Sequence, residues 1–158
     1  MRFEYKFAMA EYEKIKKYLE SFGYRCEVTG SLRRKKEDIG DIDIVVGLEE
    51  LKEFEDEVLE VVSKYGEIES RINRYEFMLK SGISIHMIPE LEEHFNYTLW
   101  HSTGPKPHVK LIKEIYKKRK LEIDMTDTHE KKIYTDIGME YLKPEERWKK
   151  TEIISVFN

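Results

Sequence analysis

The stretch Asp41-Ile42-Asp43-Ile44-Val45-Val46, closed off by Gly40 and Gly47, constrains the fold more than any other part of this chain. Its β-branched content and flanking glycines predict a strand. Residues two apart in a strand project from one face, so Ile42 and Ile44 point into a core while Asp41 and Asp43 stand side by side on the other face. Paired carboxylates of this kind suit a hard cation such as Mg²⁺, whose octahedron is completed by waters and phosphate oxygens. Eleven residues before Asp41 comes Gly30-Ser31-Leu32-Arg33-Arg34. Gly30 permits close backbone approach, Ser31 opens a helical turn whose N–H groups can receive a phosphate, and Arg33 and Arg34 add charge-assisted donors. By itself the alternation of Asp and Ile also describes a polar sheet edge. Combined with the glycine-serine turn and the arginines, it describes a site for a metal-bound nucleoside triphosphate.

The rest of the chain reads as alternating helices and strands. Helical spacing predicts a helix over Ala8 to Glu20, then a strand over Tyr24 to Val28 and a basic turn over Leu32 to Lys36. A second helix is expected from Glu49 to Tyr65, followed by strands over Ile68 to Asn73, Tyr75 to Leu79 and Ile83 to Ile88. Lys80-Ser81-Gly82 makes a hairpin of the last two, and Pro89 is expected to end the sheet. A helix over Leu91 to Trp100 leads to Thr103-Gly104-Pro105, the expected boundary between units 1–104 and 105–158. Beyond it lie a helix over Pro107 to Arg119 and strand-like pieces at Leu121 to Met125 and Lys132 to Tyr134. No stretch has the roughly 18–20 apolar residues of a membrane span, and the N-terminus lacks a signal-peptide apolar region. The single Cys26 excludes an intramolecular disulfide, so a soluble, cytoplasmic monomer is expected. The absence of Gln and the presence of only three Asn resemble the composition of chains from hot-growing organisms.

A net charge of -4 argues against bulk electrostatic coating of nucleic acid. The charge is segregated, however. Residues 49–60 carry seven acids and one Lys, whereas 106–120 carry seven Lys or Arg and one Glu. On the helix after Gly104, Val109, Ile112, Ile115 and Tyr116 form an apolar stripe, with Lys106, Lys110, Lys113, Lys117 and Lys120 mostly opposite. Such a row can track a phosphate backbone without reading sequence. A charge run taken alone is more often a solvated helix face. Trp100 and Trp148 read as core or interface residues.

The segment GSLRRKKEDIGDID resembles the nucleotidyltransferase signature of the family X DNA polymerases, the polymerase beta group. Ile83-Ser84-Ile85-His86-Met87-Ile88-Pro89 is similar to the family's third palm strand, and Trp100 to Gly104 takes the place of its aromatic-rich segment. The closing Gly138 to Arg147 is similar to its C-terminal subdomain. The likeness spans roughly residues 20–148, with no N-terminal lyase or helix-hairpin-helix domain expected. It implies an α+β fold: a nucleotidyltransferase palm with a mixed sheet flanked by helices, then a small C-terminal helix and β-hairpin subdomain that binds nucleic acid and nucleotide. It also implies residue roles. Gly30, Ser31, Arg34 and Gly40 would contact the triphosphate, Asp41 and Asp43 would hold Mg²⁺ or Mn²⁺ in a two-ion site, and Thr103 and Gly104 would form the bend beside the incoming sugar. Lys113 would stand near the templating base, with Lys106, Lys110 and Lys117 along the DNA.

The departures are as informative as the matches. The family's third carboxylate falls on Ser84, whose hydroxyl cannot replace the charge, so the two-ion site is expected to be incomplete. Glu76 is a candidate substitute: a three-residue loop is taken to set it opposite Ser84, a two-residue loop to set Phe77 there. His86 shares the face of Ser84 and is a weaker candidate. His101-Ser102 replaces the family's aromatic pair, which leaves sugar discrimination open. The reading is a DNA polymerase adding dNTPs to a primer 3′-hydroxyl on gapped or primer-template DNA, in DNA repair. Its rivals are a catalytically impaired nucleotide- or nucleic-acid-binding relative, and a transferase acting on protein, RNA or a small molecule.

Overall fold

The computed structural model describes residues 2–126 and 129–147. Its centre is a five-stranded sheet of order β2-β4-β7-β6-β5, built from β2 (Arg25–Thr29), β4 (Asp41–Leu48), β7 (Ser84–Leu91), β6 (Glu76–Leu79) and β5 (Ile68–Arg71). β4 and β7 run parallel and every other pairing is antiparallel, so the sheet is mixed as expected. A short pair, β1 (Phe3–Glu4) with β3 (Asp38–Ile39), stands apart. Two-residue strands carry too little pattern to be read from sequence.

Alternation along β4 separates core from site. Ile42, Ile44, Val46 and Leu48 are buried with Phe77, Leu79, Ile85 and Met87. The apolar face of α1 (Tyr5–Ser21) packs there through Ala8, Tyr12, Ile15 and Leu19. On the opposite face Val45 is covered by Phe95 and Leu99 of α4 (Phe95–Thr103). α4 therefore roofs the far half of that face and leaves the half bearing Asp41 and Asp43 open. A second core gathers Trp100 of α4 with Val109, Ile112, Ile115 and Tyr116 of α5 (Lys106–Lys118) and Ile133 and Tyr134 of α6 (Glu130–Thr135).

Four expectations need correction. The acidic helix is shorter than Glu49 to Tyr65: a π-helical turn over Phe54–Val58 runs into α3 (Leu59–Ser63). Phe54, Val58 and Val62 recur every fourth residue and are all buried, a spacing that the wider π turn keeps on one side. Pro89 does not end the sheet but lies within β7, paired with Val46. The Met87 N–H points to the β6 side, where it bonds the Tyr75 carbonyl. By strand parity residue 89 faces that side too, beyond the reach of β6, and no ladder bond is lost there. The helix read from Leu91 starts later, since Leu91 closes β7 and a 3₁₀ turn over Glu92–His94 precedes α4. Finally, the C-terminal part has no β-hairpin among the described residues. Leu121 to Met125 is irregular, and Lys132 to Tyr134 falls inside α6, where Ile133, Tyr134 and Ile137 pack at helical spacing. Three residues of alternation cannot distinguish strand from helix. Trp148 lies outside the described residues.

Edge strand β2 shows how tightly helix and sheet are joined. The buried Tyr12 hydroxyl accepts a 2.9 Å hydrogen bond from the Val28 N–H. Tyr12→Phe leaves that buried donor unpaired, and chemical denaturation is expected to show a loss of about 1–3 kcal/mol with an unchanged denaturant slope.

Candidate nucleotide and metal site

The open half of the sheet face carries a row of polar side chains fixed by register. Asp41 lies beside Ser84, and Asp43 lies beside His86 on one side and Thr29 on the other. β6 then sets Met78 beside Ser84 and Glu76 beside His86. The loop Lys80-Ser81-Gly82 does have three residues and so pairs Leu79 with Ile83, whose carbonyl accepts from the Leu79 N–H, and Met78 with Ser84. The expected Glu76–Ser84 pairing is thus wrong by two residues. Strand parity still keeps Glu76 on the same face, where its Oε1 accepts a 3.1 Å bond from Asn73 Nδ2.

Asp43 is the most perturbed group of this row. Its carboxyl pKa is pushed up from 3.8 to about 6, first by burial and then by the neighbouring charge of Asp41, against the opposing effect of His86. The His86 Nδ1 lies 3.3 Å from Asp43 Oδ1. On its other side Asp43 abuts Gly30, whose φ is +63° and where a Cβ would collide with the Asp43 carboxylate. Gly30 is therefore required twice, by conformation and by this contact.

From Gly30 the chain enters the short helix α2 (Gly30–Arg33). Arg34, just past it, donates from Nη1 to the Thr103 carbonyl, while its buried Nε has no partner. Burial lowers the Arg34 pKa, and the charge of Asp43 partly offsets this. Nη1 also lies 3.3 Å from where a Cβ on Gly104 would sit. The structure thus brings Gly30, Ser31, Arg34, Thr103 and Gly104 to the edge of the aspartate pair. Thr103 arrives with its hydroxyl already committed: it is buried, bonds the Leu99 carbonyl at 2.6 Å and accepts from Arg33 at 2.8 Å.

Arg33 differs from the expected free phosphate donor. Its guanidinium forms two bonds to Glu130 of α6, at 2.8 and 2.6 Å. Glu130 in turn meets the fully buried Arg147 at 3.4 Å. Consecutive arginines therefore do different work: Arg33 fastens the turn to the C-terminal part and Arg34 keeps a free N–H. Nothing in the sequence distinguishes them, because Glu130 is 97 residues away.

Two further residues escape sequence reasoning. Arg2 enters through the β1–β3 pairing, bonds the Asp38 carbonyl at 2.9 Å and brings Nη1 within 2.7 Å of the place a Cβ on Gly40 would take. A second cation thus lies against Gly40, the residue before Asp41 in the chain. His101 joins Lys106, Lys110, Lys113 and Lys117 in lining a groove of about 500 Å³ along α5. Burial, followed by the charge of Lys113, lowers the His101 pKa.

Among the described residues no three of His, Cys, Asp and Glu converge closely enough to hold a metal ion by themselves. Asp41 and Asp43 fit a cation that arrives with phosphate oxygens and waters, since Asp43, its pKa raised first by burial and then by the charge of Asp41, would gain from a positive ion beside it. The linkage can be tested without metal. Because this acid binds its proton more tightly folded than unfolded, stability falls as pH rises across about pH 4 to 6. In a chelator, Asp43→Asn is expected to melt at a higher temperature than the unsubstituted protein near about pH 7, and at the same temperature near about pH 4. Thermal melts at both pH values check this.

Comparison with known proteins agrees with this geometry. Residues 4–79, which include the Gly30 turn and both aspartates, match the family model for the DNA polymerase beta palm. Over 164 aligned residues the chain is 25% identical to the DNA polymerase/3'-5' exonuclease PolX of Bacillus subtilis (strain 168). That alignment takes in 92% of this chain but only 28% of the length of the relative. With its mixed sheet and its paired aspartates, the chain is similar to the family X polymerases, and its residues 4–79 resemble their polymerase beta palm.

Proposed function

We propose that this protein transfers a nucleotide from a metal-bound dNTP to the 3′-hydroxyl of a DNA primer, in gapped or primer-template DNA and in the service of repair. The observation that carries the reading is the meeting of the Asp43 carboxylate, which shares a strand face with Asp41, with a side-chain-free Gly30, beside an Arg34 whose Nε is buried without a partner. Asp41 and Asp43 would hold Mg²⁺ or Mn²⁺, which when bound neutralises the triphosphate and makes the attacking hydroxyl more acidic. Gly30 and Ser31 let the phosphates approach the backbone. Arg34 and Arg2 supply donors from two sides, with Gly40 between Arg2 and Asp41. Gly104, carrying no side chain, leaves space for the sugar, and the buried Thr103 holds that bend in shape. Lys106, Lys110, Lys113 and Lys117 line the groove in which the DNA would lie. In this reading the protein acts as a monomer, with 105–158 forming the nucleic-acid-binding subdomain.

A second reading is favoured by Ser84, which stands beside Asp41 without a charge. In it the protein binds nucleotide and nucleic acid with little turnover. Incorporation on a gapped duplex, with Mg²⁺ and then Mn²⁺, separates the two. Extension that falls at least about a hundredfold in Asp43→Asn supports the polymerase. No extension by the unsubstituted protein, with extension restored by Ser84→Asp, supports the impaired binder. No extension by any of the three rejects DNA as the acceptor and turns attention to protein, RNA or small molecules.

The groove makes a separate prediction. Lys110→Ala and Lys113→Ala are each expected to weaken DNA binding about equally on unrelated sequences, and to reduce the slope of log affinity against log salt by about 1. Fluorescence anisotropy across a salt series checks this.

A further inference from the structure

His101-Ser102 stands where the family X polymerases carry an aromatic pair, and the structure divides the two. His101 lines the groove along α5, whereas Ser102 turns towards the end of β2. There it meets Thr29, which is fully buried on the sheet face that it shares with its strand partner Asp43. Thr29 directly precedes α2, where a threonine hydroxyl ordinarily caps the first turn of a helix, yet it makes no such bond. Its hydroxyl crosses instead to α4, lying 2.7 Å from Ser102 Oγ and 3.1 Å from Thr103 Oγ1.

Each of these hydroxyls has one proton to give, and two of the three are already committed. Ser102 donates to the Thr98 carbonyl and Thr103 to the Leu99 carbonyl, both at 2.6 Å. Thr103 Oγ1 also accepts from Arg33 at 2.8 Å. The Thr29 proton goes to Ser102, the nearer of the two oxygens. At the end of α4 the Thr103 carbonyl lies beyond the bonding pattern of the helix and accepts from Arg34 Nη1. A continuous path thus runs from Thr29, through the last turn of α4, to the arginine whose charge interacts with that of Asp43.

We propose that Thr29 and Ser102 are positioning residues for the nucleotide: their hydroxyl bond joins the turn at Gly30 to the bend at Gly104 and fixes where Arg34 presents its unpartnered Nε. The inference rests on the reading of Gly30, Arg34 and Gly104 as the nucleotide pocket. The two walls of that pocket come from segments 73 residues apart. Phe95 and Leu99 hold the body of α4 by apolar contact, whereas Ser102 and Thr103, at its end, are held by polar bonds. A helix end frays readily, so the carbonyl that aims Arg34 is only as well placed as those bonds make it. Because Thr29 is fully buried, its side chain cannot touch a nucleotide. Any influence it has on nucleotide affinity passes through Arg34 and the bend.

Calorimetric titration with a non-hydrolysable dNTP analogue and Mg²⁺ reads this without turnover. Thr29→Val and Ser102→Ala are each expected to weaken analogue binding about tenfold. Thr29→Ser, which keeps the hydroxyl, should weaken it no more than about twofold. The double variant Thr29→Val with Ser102→Ala should bind no more weakly than either single one, because both changes remove the same bond. Thermal melts establish that each variant is folded at the temperature of the titration. Variants that melt earlier but bind the analogue as tightly as the unsubstituted protein would leave Thr29 and Ser102 a structural contact only and overturn the proposal. Losses that add in the double variant would overturn it too. In either case the nucleotide pocket survives if Arg34→Ala abolishes binding. An unsubstituted protein that binds no analogue would overturn both.

Discussion

The structure turns on one close approach, that of the Asp43 carboxylate to the backbone at Gly30. β4 lies between β2 and β7, its odd-numbered side chains on one face and its even-numbered ones in the core. The core face needs Ile42 and Ile44 against α1. The pleat then forces Asp41 and Asp43 onto the other face, next to the turn that follows β2. A side chain at residue 30 would close this space, and the glycine keeps it open. The turn, the arginine beyond it and the bend at Gly104 are all placed relative to this contact.

Charge placement follows from it. Two carboxylates on one face, one of them largely buried, repel each other, and the protein does not fully neutralise them. His86 is offset at 3.3 Å, Arg34 is turned towards the Thr103 carbonyl, and Arg2 lies over Gly40. Burial first, and the charge of Asp41 second, raise the pKa of Asp43. The contribution of the fold is to hold Arg34 near Asp43, whose carboxylate meets His86 Nδ1 at 3.3 Å.

The C-terminal part is tied to this turn by charges that are almost fully withdrawn from water. Arg33, Glu130 and Arg147 form a chain in which Arg147 is buried and Glu130 nearly so, with the Arg147 guanidinium over the rings of Tyr134 and Tyr141. Removing one member of such a network strands the others, so its loss is far more disruptive than its net contribution suggests. Thr103 adds a second tie, bonding both Arg33 and the Leu99 carbonyl. The bend at Gly104 and the turn at Gly30 are thus coupled, and α5 with its lysines is carried by the same assembly.

What the sequence determined by itself is local and periodic. The Asp-Ile alternation of β4, the need for a glycine before Ser31, the apolar stripe of α1 and the lysine row of α5 all follow from side-chain spacing, and the structure realises each of them. What only the tertiary structure decided involves a second chain segment. Pro89 fits inside β7 because β6 is too short to reach it. Lys132 to Tyr134 is helical because Ile133, Tyr134 and Ile137 reach the core around Trp100 that way. Adjacent arginines part company because Glu130 takes one of them, and Arg2 reaches Gly40 only through the pairing of β1 with β3. Spacing along a chain sets which face a side chain occupies. Only packing sets which distant group waits there, and that is where the charges of this site are settled.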